Sequence, residues 1–463
     1  MVSPPERKRV EERARRRSPG RPSRRGWACA LATLALGAGC AVRTDGAPCH
    51  GDAQCPSGQR CAAEGVCTAG DPLHPASRLR ALPLELGEPA SPPAIDATGR
   101  VLLSGRSGAA LVVTPDPVGG AATLEKVPLG LTGTVAAPAS GPGGAWFTSP
   151  ATLTVGLVRD DGSSSAFTCT ADDPKGAGIL AATTPSGSKW AFAPGGASSK
   201  KERVYALSPA NGACRGSNVG VQITTPFVSL GGGLYAATAS EDEVGISRFV
   251  VNEENGIVAV DSWAAPLRAG DYACDAVTAP LAVDASRRLV AVCGNGQLWM
   301  VDPARGSGAA AVYLRTFEGE LSGSPLGLAG GEVVVATGGT LRKYAPLTTR
   351  EQAFTPPGGS KVNGYLASNA GPSKVSLYAV TDRGGLFALD ADLAVVWSMA
   401  LGGAALGEPT IAPAAGLPGA LPTLYVVAAD GKLYAVAVDA GLDDDAPWPK
   451  GRRDAANSGG LAP

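Results

Sequence analysis

Histidine is nearly missing from this chain of 463 residues, which holds only His50 and His74. Imidazole is the usual general base near neutral pH, so the long remainder after residue 74 can build neither a Ser-His-Asp triad nor a histidine metal cage. Aromatic residues make up only 5% of the chain, and Met occurs three times. Basic charge is short in the body as well. Residues 1 to 25 carry ten of the 40 Lys and Arg and three of the 41 acidic residues, leaving 30 against 38, a net of −8. An acidic body is a poor partner for nucleic acid. The N-terminal apolar run in "WACALATLALGAGC", Trp27 to Gly39, is too short to span a membrane. As a helix it rises about 20 Å against a hydrocarbon core of about 30 Å. What the chain has in quantity is turn formers, 63 Gly and 38 Pro, and these favour an all-β fold.

The basic stretch and the apolar run read together as a signal peptide over residues 1–39. Gly37, Ala38 and Gly39 precede Cys40, and this resembles the lipobox of bacterial lipoproteins, in which the cysteine is acylated and becomes the new N-terminus. The branched residue usual three places before the cysteine is displaced here by one, to Leu36. The resemblance implies a lipid anchor at Cys40 and a place in the cell envelope, at the outer membrane. The alternative is an ordinary secreted protein cleaved nearby.

Four cysteines, Cys49, Cys55, Cys61 and Cys67, stand at even spacing in "CHGDAQCPSGQRCAAEGVC". So short a segment, with almost no large apolar residue, cannot form a core, and disulfides must replace one. Paired C-x2-C zinc spacing is missing. Cys49, Asp52, Cys55, Gly58 and Cys61 resemble the small Cys-rich modules that follow lipoprotein signals in some bacterial surface proteins. Residues 40–67 are therefore expected to be a lipidated, disulfide-rich module, and the proline-containing stretch 68–80 a linker.

Residues 81–463 repeat one unit. From Leu289, Leu377 and Leu424, a Gly follows seven places on (Gly296, Gly384, Gly431), a Leu nine on (Leu298, Leu386, Leu433) and an aromatic ten on (Trp299, Phe387, Tyr434). This is the pattern of a hairpin whose tip needs positive φ. A Pro precedes a short apolar strand at Pro92, Pro138, Pro185, Pro226, Pro280, Pro325 and Pro409, and a unit without its proline begins at Asn363. Eight units, with seven as the alternative count, repeat every 45 residues or so, the length of a four-stranded propeller blade. Such a sheet has two apolar faces and is stable only when packed radially against its neighbours. The fold expected is an all-β, eight-bladed propeller of four-stranded antiparallel blades.

"LFALDADLAVVW", Leu386 to Trp397, and the terminal phrase carried by Trp448, Pro449, Arg452, Asp454, Ser458 and Gly459 resemble the quinoprotein-like propellers. The resemblance implies that residues 447–460 form a closure segment against the first or last blade. Enzymes of that family hold pyrroloquinoline quinone on a Trp floor with a calcium ion bound by Glu, Asn and Asp, and use an Asp as base. No such cluster recurs at matching positions of adjacent units, and an adjacent Cys-Cys pair is missing. Trp146, Trp190, Trp263, Trp299 and Trp397 fall one to a unit, as packing aromatics do. The acidic runs at Asp161 and Asp443 lack the alternating spacing of a calcium loop. No catalytic, metal or cofactor residue is assigned and no cofactor expected. The reading is a non-catalytic binding scaffold that meets a protein, peptide or glycan through its loops and a membrane through its lipid alone. The alternative is an unusual quinoprotein dehydrogenase. Among the remaining cysteines, Cys274 is expected to pair with Cys293, and Cys169 with Cys214.

Overall fold

The computed structural model describes residues 59–61, 67–69, 78–79 and, with internal gaps, 83–457. Eight antiparallel sheets of four or more strands follow one another among the described residues, the first seven laid down from an inner strand outward. The inner strands are Ala94–Ile95, Ala139–Gly141, Leu180–Thr183, Gln222–Ile223 with Val228–Leu230, Ala282–Val283, Leu321–Gly327, Val362–Ala367 and Thr410–Ala412. The split inner strand makes the fourth sheet five-stranded, because both pieces pair with Gly233–Ala239. The fold is an eight-bladed β-propeller.

Its core lies in the seams between blades. Phe192 of the third blade packs with Phe227 and Phe249 of the fourth. Tyr235 and Trp263 of the fourth meet edge to face at 5.6 Å beside the fifth blade's Trp299. Phe354 of the sixth and Phe387 of the seventh stand 5.1 Å apart, and Val113 of the first shares a cluster with Tyr425 of the eighth. Each of the five tryptophans that fall one to a unit thus sits on its own blade, in Gly144–Ser149, Lys189–Gly195, Ile257–Pro266, Gln297–Val301 and Val395–Ala400.

The recurring glycine turns each hairpin. Gly296, Gly384 and Gly431 have φ of 81°, 79° and 78°. Gly108, at the same place in the first blade, has φ 83°, and a Cβ there would lie 1.7 Å from the Leu131 carbonyl oxygen. The proline marker is less regular than the sequence suggests. Pro325 lies inside its inner strand, Leu321–Gly327, and Pro185 follows its own, Leu180–Thr183.

Ring closure differs from the expectation. The eighth blade draws three strands, Thr410–Ala412, Thr423–Val427 and Lys432–Ala437, from the C-terminal end of the chain, and its outermost strand is Leu84–Glu85 from the N-terminal end. Leu84 pairs with Leu433 and Glu85 with Lys432, and Leu79 bridges to Val436. Of the segment 447–460, expected against the first or last blade, Gly451 lies beside Glu408 of the eighth blade, while Trp448 and Pro449 meet the sixth and seventh. Trp448 exchanges backbone hydrogen bonds of 3.0 and 3.2 Å with Gly327 at the end of the sixth inner strand, and the Pro449 carbonyl accepts from the Ala367 N–H of the seventh. A strand of two residues offers no pattern to read, and only the folded ring shows which free edge it meets.

Candidate functional site: the axial channel and its mouth

Inner strands line the axis of a propeller, so the C-terminal segment that pairs with them occupies the channel. Leu442 bridges to Ser368 and Trp448 to Gly327 at the far ends of the inner strands. Lys450 and Asn457 lie among the near ends, on the wall of one cavity. Trp448, Lys450 and Asn457 are each 1% exposed.

At this near end a cavity of about 250 Å³ opens between Pro92, Ala137, Pro280, Ser324, Asn363 and Glu408, contributed by the first, second, fifth, sixth, seventh and eighth blades. Glu408 Oε1 accepts the Ser324 N–H at 3.1 Å. A Cβ on Gly451 would meet the two carboxylate oxygens at 2.2 and 2.3 Å, so a glycine here lets the tail pass the carboxylate closely. Burial, and behind it the Glu408 charge, pushes the Tyr365 phenol far above its usual range. Asn363 Nδ2 donates to the Ala405 carbonyl at 2.5 Å. Asn457 accepts from Lys450 Nζ and donates to the Pro138 carbonyl at 2.9 Å.

The quinone and calcium of the family named above do not fit these residues. Glu408 and two asparagines do meet at the mouth, but the Asn457 amide oxygen already accepts from Lys450, and the Lys450 amine lines the same cavity where a cation would have to sit. No tryptophan is among the cavity's described walls. Among the described residues no three His, Cys, Asp or Glu side chains gather as a metal group.

The sequence-derived positions distribute as follows. Cys40, Cys49, Cys55 and Cys169 lie outside the described residues, as do Arg452, Ser458 and Gly459. Cys61 and Cys67 face each other in the two-stranded pair Gln59–Cys61 and Cys67–Ala69. Cys274 and Cys293 are joined by a disulfide with Cα atoms 5.5 Å apart. It ties the approach to the fifth blade to that blade's second strand. Cys214 is disulfide-bonded. Asp454 caps a turn by accepting the Asn457 N–H through its backbone carbonyl at 3.0 Å.

Two arrangements escaped the sequence reading. Arg78, in the stretch expected to be a linker, is wholly buried. It donates to the Ala437 carbonyl at 3.1 Å, pairs with Asp439 at 3.1 Å and lies 4.2 Å over the Trp397 ring. The second is a turn written twice, "DATGR" and "DASRR". Asp96 Oδ1 accepts the N–H groups of Thr98 and Arg100 while Oδ2 holds the Arg100 guanidinium. Asp284 does the same with Ser286 and Arg288. The shared D-A-[ST]-x-R was the signal available for it.

No family model matches the sequence, and no curated protein matches it. Among solved structures, the chain is similar to virginiamycin B lyase from Staphylococcus aureus, with a TM-score of 0.45 and 12% identity over 77% of this chain and 98% of that one. It is also similar to BamB from Moraxella catarrhalis, with a TM-score of 0.39 and 16% identity over 67% and 95%. At such scores the likeness bears on neither activity nor partner, and the propeller assignment rests on the strand pairing itself.

Proposed function

We propose that the protein is a lipid-anchored propeller of the bacterial cell envelope that binds a protein, peptide or glycan through its loops without turning over a substrate. The observation that carries this reading is the filled axis. The chain's own C-terminal segment occupies the channel, and what remains at its mouth is a small cavity into which that segment sets Lys450 and Asn457, already hydrogen-bonded to each other. Loops on a rigid scaffold are where binding concentrates, and eight blades present them on two faces. A lipid at Cys40 would hold those faces near a membrane.

The test is reconstitution of the full chain with pyrroloquinoline quinone and calcium. Neither quinone retention nor reduction of an artificial electron acceptor with alcohols or sugars is expected. Stoichiometric retention with substrate-dependent dye reduction would replace the scaffold by the dehydrogenase. Anchoring is tested apart from this by Cys40→Ser, which should abolish labelling with a palmitate analogue and release the protein from membranes. A variant that still labels and stays bound would refute the anchor.

A further inference from the structure

The buried pair at the channel mouth joins an amine to a carboxamide, and amine and amide are the two halves of an isopeptide bond. Lys450 and Asn457 are each 1% exposed, and Nζ of the first contacts Oδ1 of the second. The segment between them bends back twice. The Arg453 N–H donates to the Lys450 carbonyl at 2.8 Å and the Asn457 N–H to the Asp454 carbonyl at 3.0 Å. Arg453 and Asn457 take φ of 76° and 56°, a region that side chains other than Gly seldom adopt. The amide is also oriented. Its NH2 donates to the Pro138 carbonyl at 2.9 Å, which accepts only, so the amide oxygen turns toward Lys450, whose Nζ donates to it.

A carboxylate shares the cavity. Glu408 lines it with Lys450 and Asn457 and lies against Gly451, the residue next to Lys450. A cavity of about 250 Å³ has room for a bridging water, and proton transfer through one water is within the reach of a general acid or base.

We propose that Lys450 and Asn457 are joined by an intramolecular isopeptide bond, formed spontaneously on folding with Glu408 moving the proton. Nζ of the neutral amine attacks Cγ, and the new Nζ–Cγ bond forms as the Cγ–Nδ2 bond breaks. Glu408 takes the proton that Nζ sheds and returns it to Nδ2, which departs as ammonia. Nothing is oxidised or reduced, no water is consumed, and the carboxylate ends as it began. Holding the two groups together supplies the orientation that an unassisted amide exchange lacks. The bond closes the loop 450–457 covalently and locks the tail in the channel. This goes beyond the binding reading and does not depend on it.

Mass spectrometry of the full chain, unfolded and reduced, tests the proposal. The protein should be lighter by one ammonia than the mass of its unlinked chain. Trypsin, which cuts after Arg452 and Arg453 inside the loop, should release one branched product linking Lys450 to Asn457. Lys450→Arg and Asn457→Ala should each restore the unlinked mass, and Glu408→Gln should do so with thermal unfolding still cooperative. An unlinked mass for the parent protein, with Lys450 reactive toward an amine reagent once unfolded, would overturn the proposal whatever the variants do. Ammonia loss that persists in Lys450→Arg would also overturn it, because a succinimide at Asn457 loses the same ammonia without any link. A branched product undiminished in Glu408→Gln would remove Glu408 from the reaction.

Discussion

At Arg78 a guanidinium is withdrawn from water, and the contacts that replace its hydration include a backbone carbonyl, the Asp439 carboxylate and the face of Trp397. Trp397 Nε1 donates to the same carboxylate at 2.8 Å, so removing the arginine leaves a partly buried charge held by one neutral donor. Arg78→Ala should lower the unfolding free energy by about 3 kcal/mol, the cost of breaking a buried pair from one side. Arg78→Lys should recover only part of it, since an ammonium cannot stack and fork together. Urea denaturation measures both. Asp443 behaves in the opposite sense. Burial holds its carboxyl above the usual range, so the folded state binds the proton more tightly than the unfolded one. Its contribution is therefore most favourable below the unfolded pKa and is lost as pH rises through the folded one. Asp443→Asn keeps the acceptor that takes the Asp445 N–H and removes the charge. It should gain stability over the parent at neutral pH and gain nothing below the carboxylate range, as read by urea unfolding at both.

The hairpin repeats at the scale of the element, and its glycines are not equivalent. Gly108 and Gly431 share a φ near 80°, yet a Cβ at Gly108 would strike the Leu131 carbonyl while one at Gly431 would meet nothing within 4 Å. Gly431→Ala should therefore cost only the left-handed backbone penalty, about 1 kcal/mol. Gly108→Ala adds overpacking against a backbone that cannot yield and should cost about 3 kcal/mol or more. Comparison of denaturation midpoints separates the two terms, and equal losses would mean that the Leu131 loop moves freely.

Across the whole molecule, the decisive contact joins chain ends. Leu84–Glu85 completes the eighth blade by pairing with Lys432–Ala437, and Val113 of the first blade meets Tyr425 and Leu433 of the eighth in one cluster. A deletion ending at Ser77 spares this closure and, among the described residues, removes only Cys67–Ala69 from beside Val395–Ala400, so it should lower the thermal midpoint much less than loss of the closing strand. A deletion ending at Gly87 takes the closing strand and Arg78 with it and bares a strand edge. It should unfold at a lower temperature and associate through that edge, seen as increased light scattering.

The local chemistry of the chain settled much on its own. Glycine at fixed offsets in three phrases, apolar strands between turns and a period near that of a propeller blade determine hairpins and repeats, because positive φ and alternation are properties of neighbouring residues. The repeat favoured eight blades and left seven open, and the strand pairing decides for eight. Tertiary structure alone decided where the two ends go. Leu84 and Leu433 are partners separated by most of the chain, and a two-residue strand has no periodicity by which to recognise its mate. The same holds for the tail: Trp448 announces burial by its type, but whether it docks on an outer edge or in the channel depends on the space that eight inner strands leave between them. Arg78 lay hidden in a polar stretch for the same reason, since the carboxylate and aromatic face that make its burial tolerable are brought to it only when the ring closes.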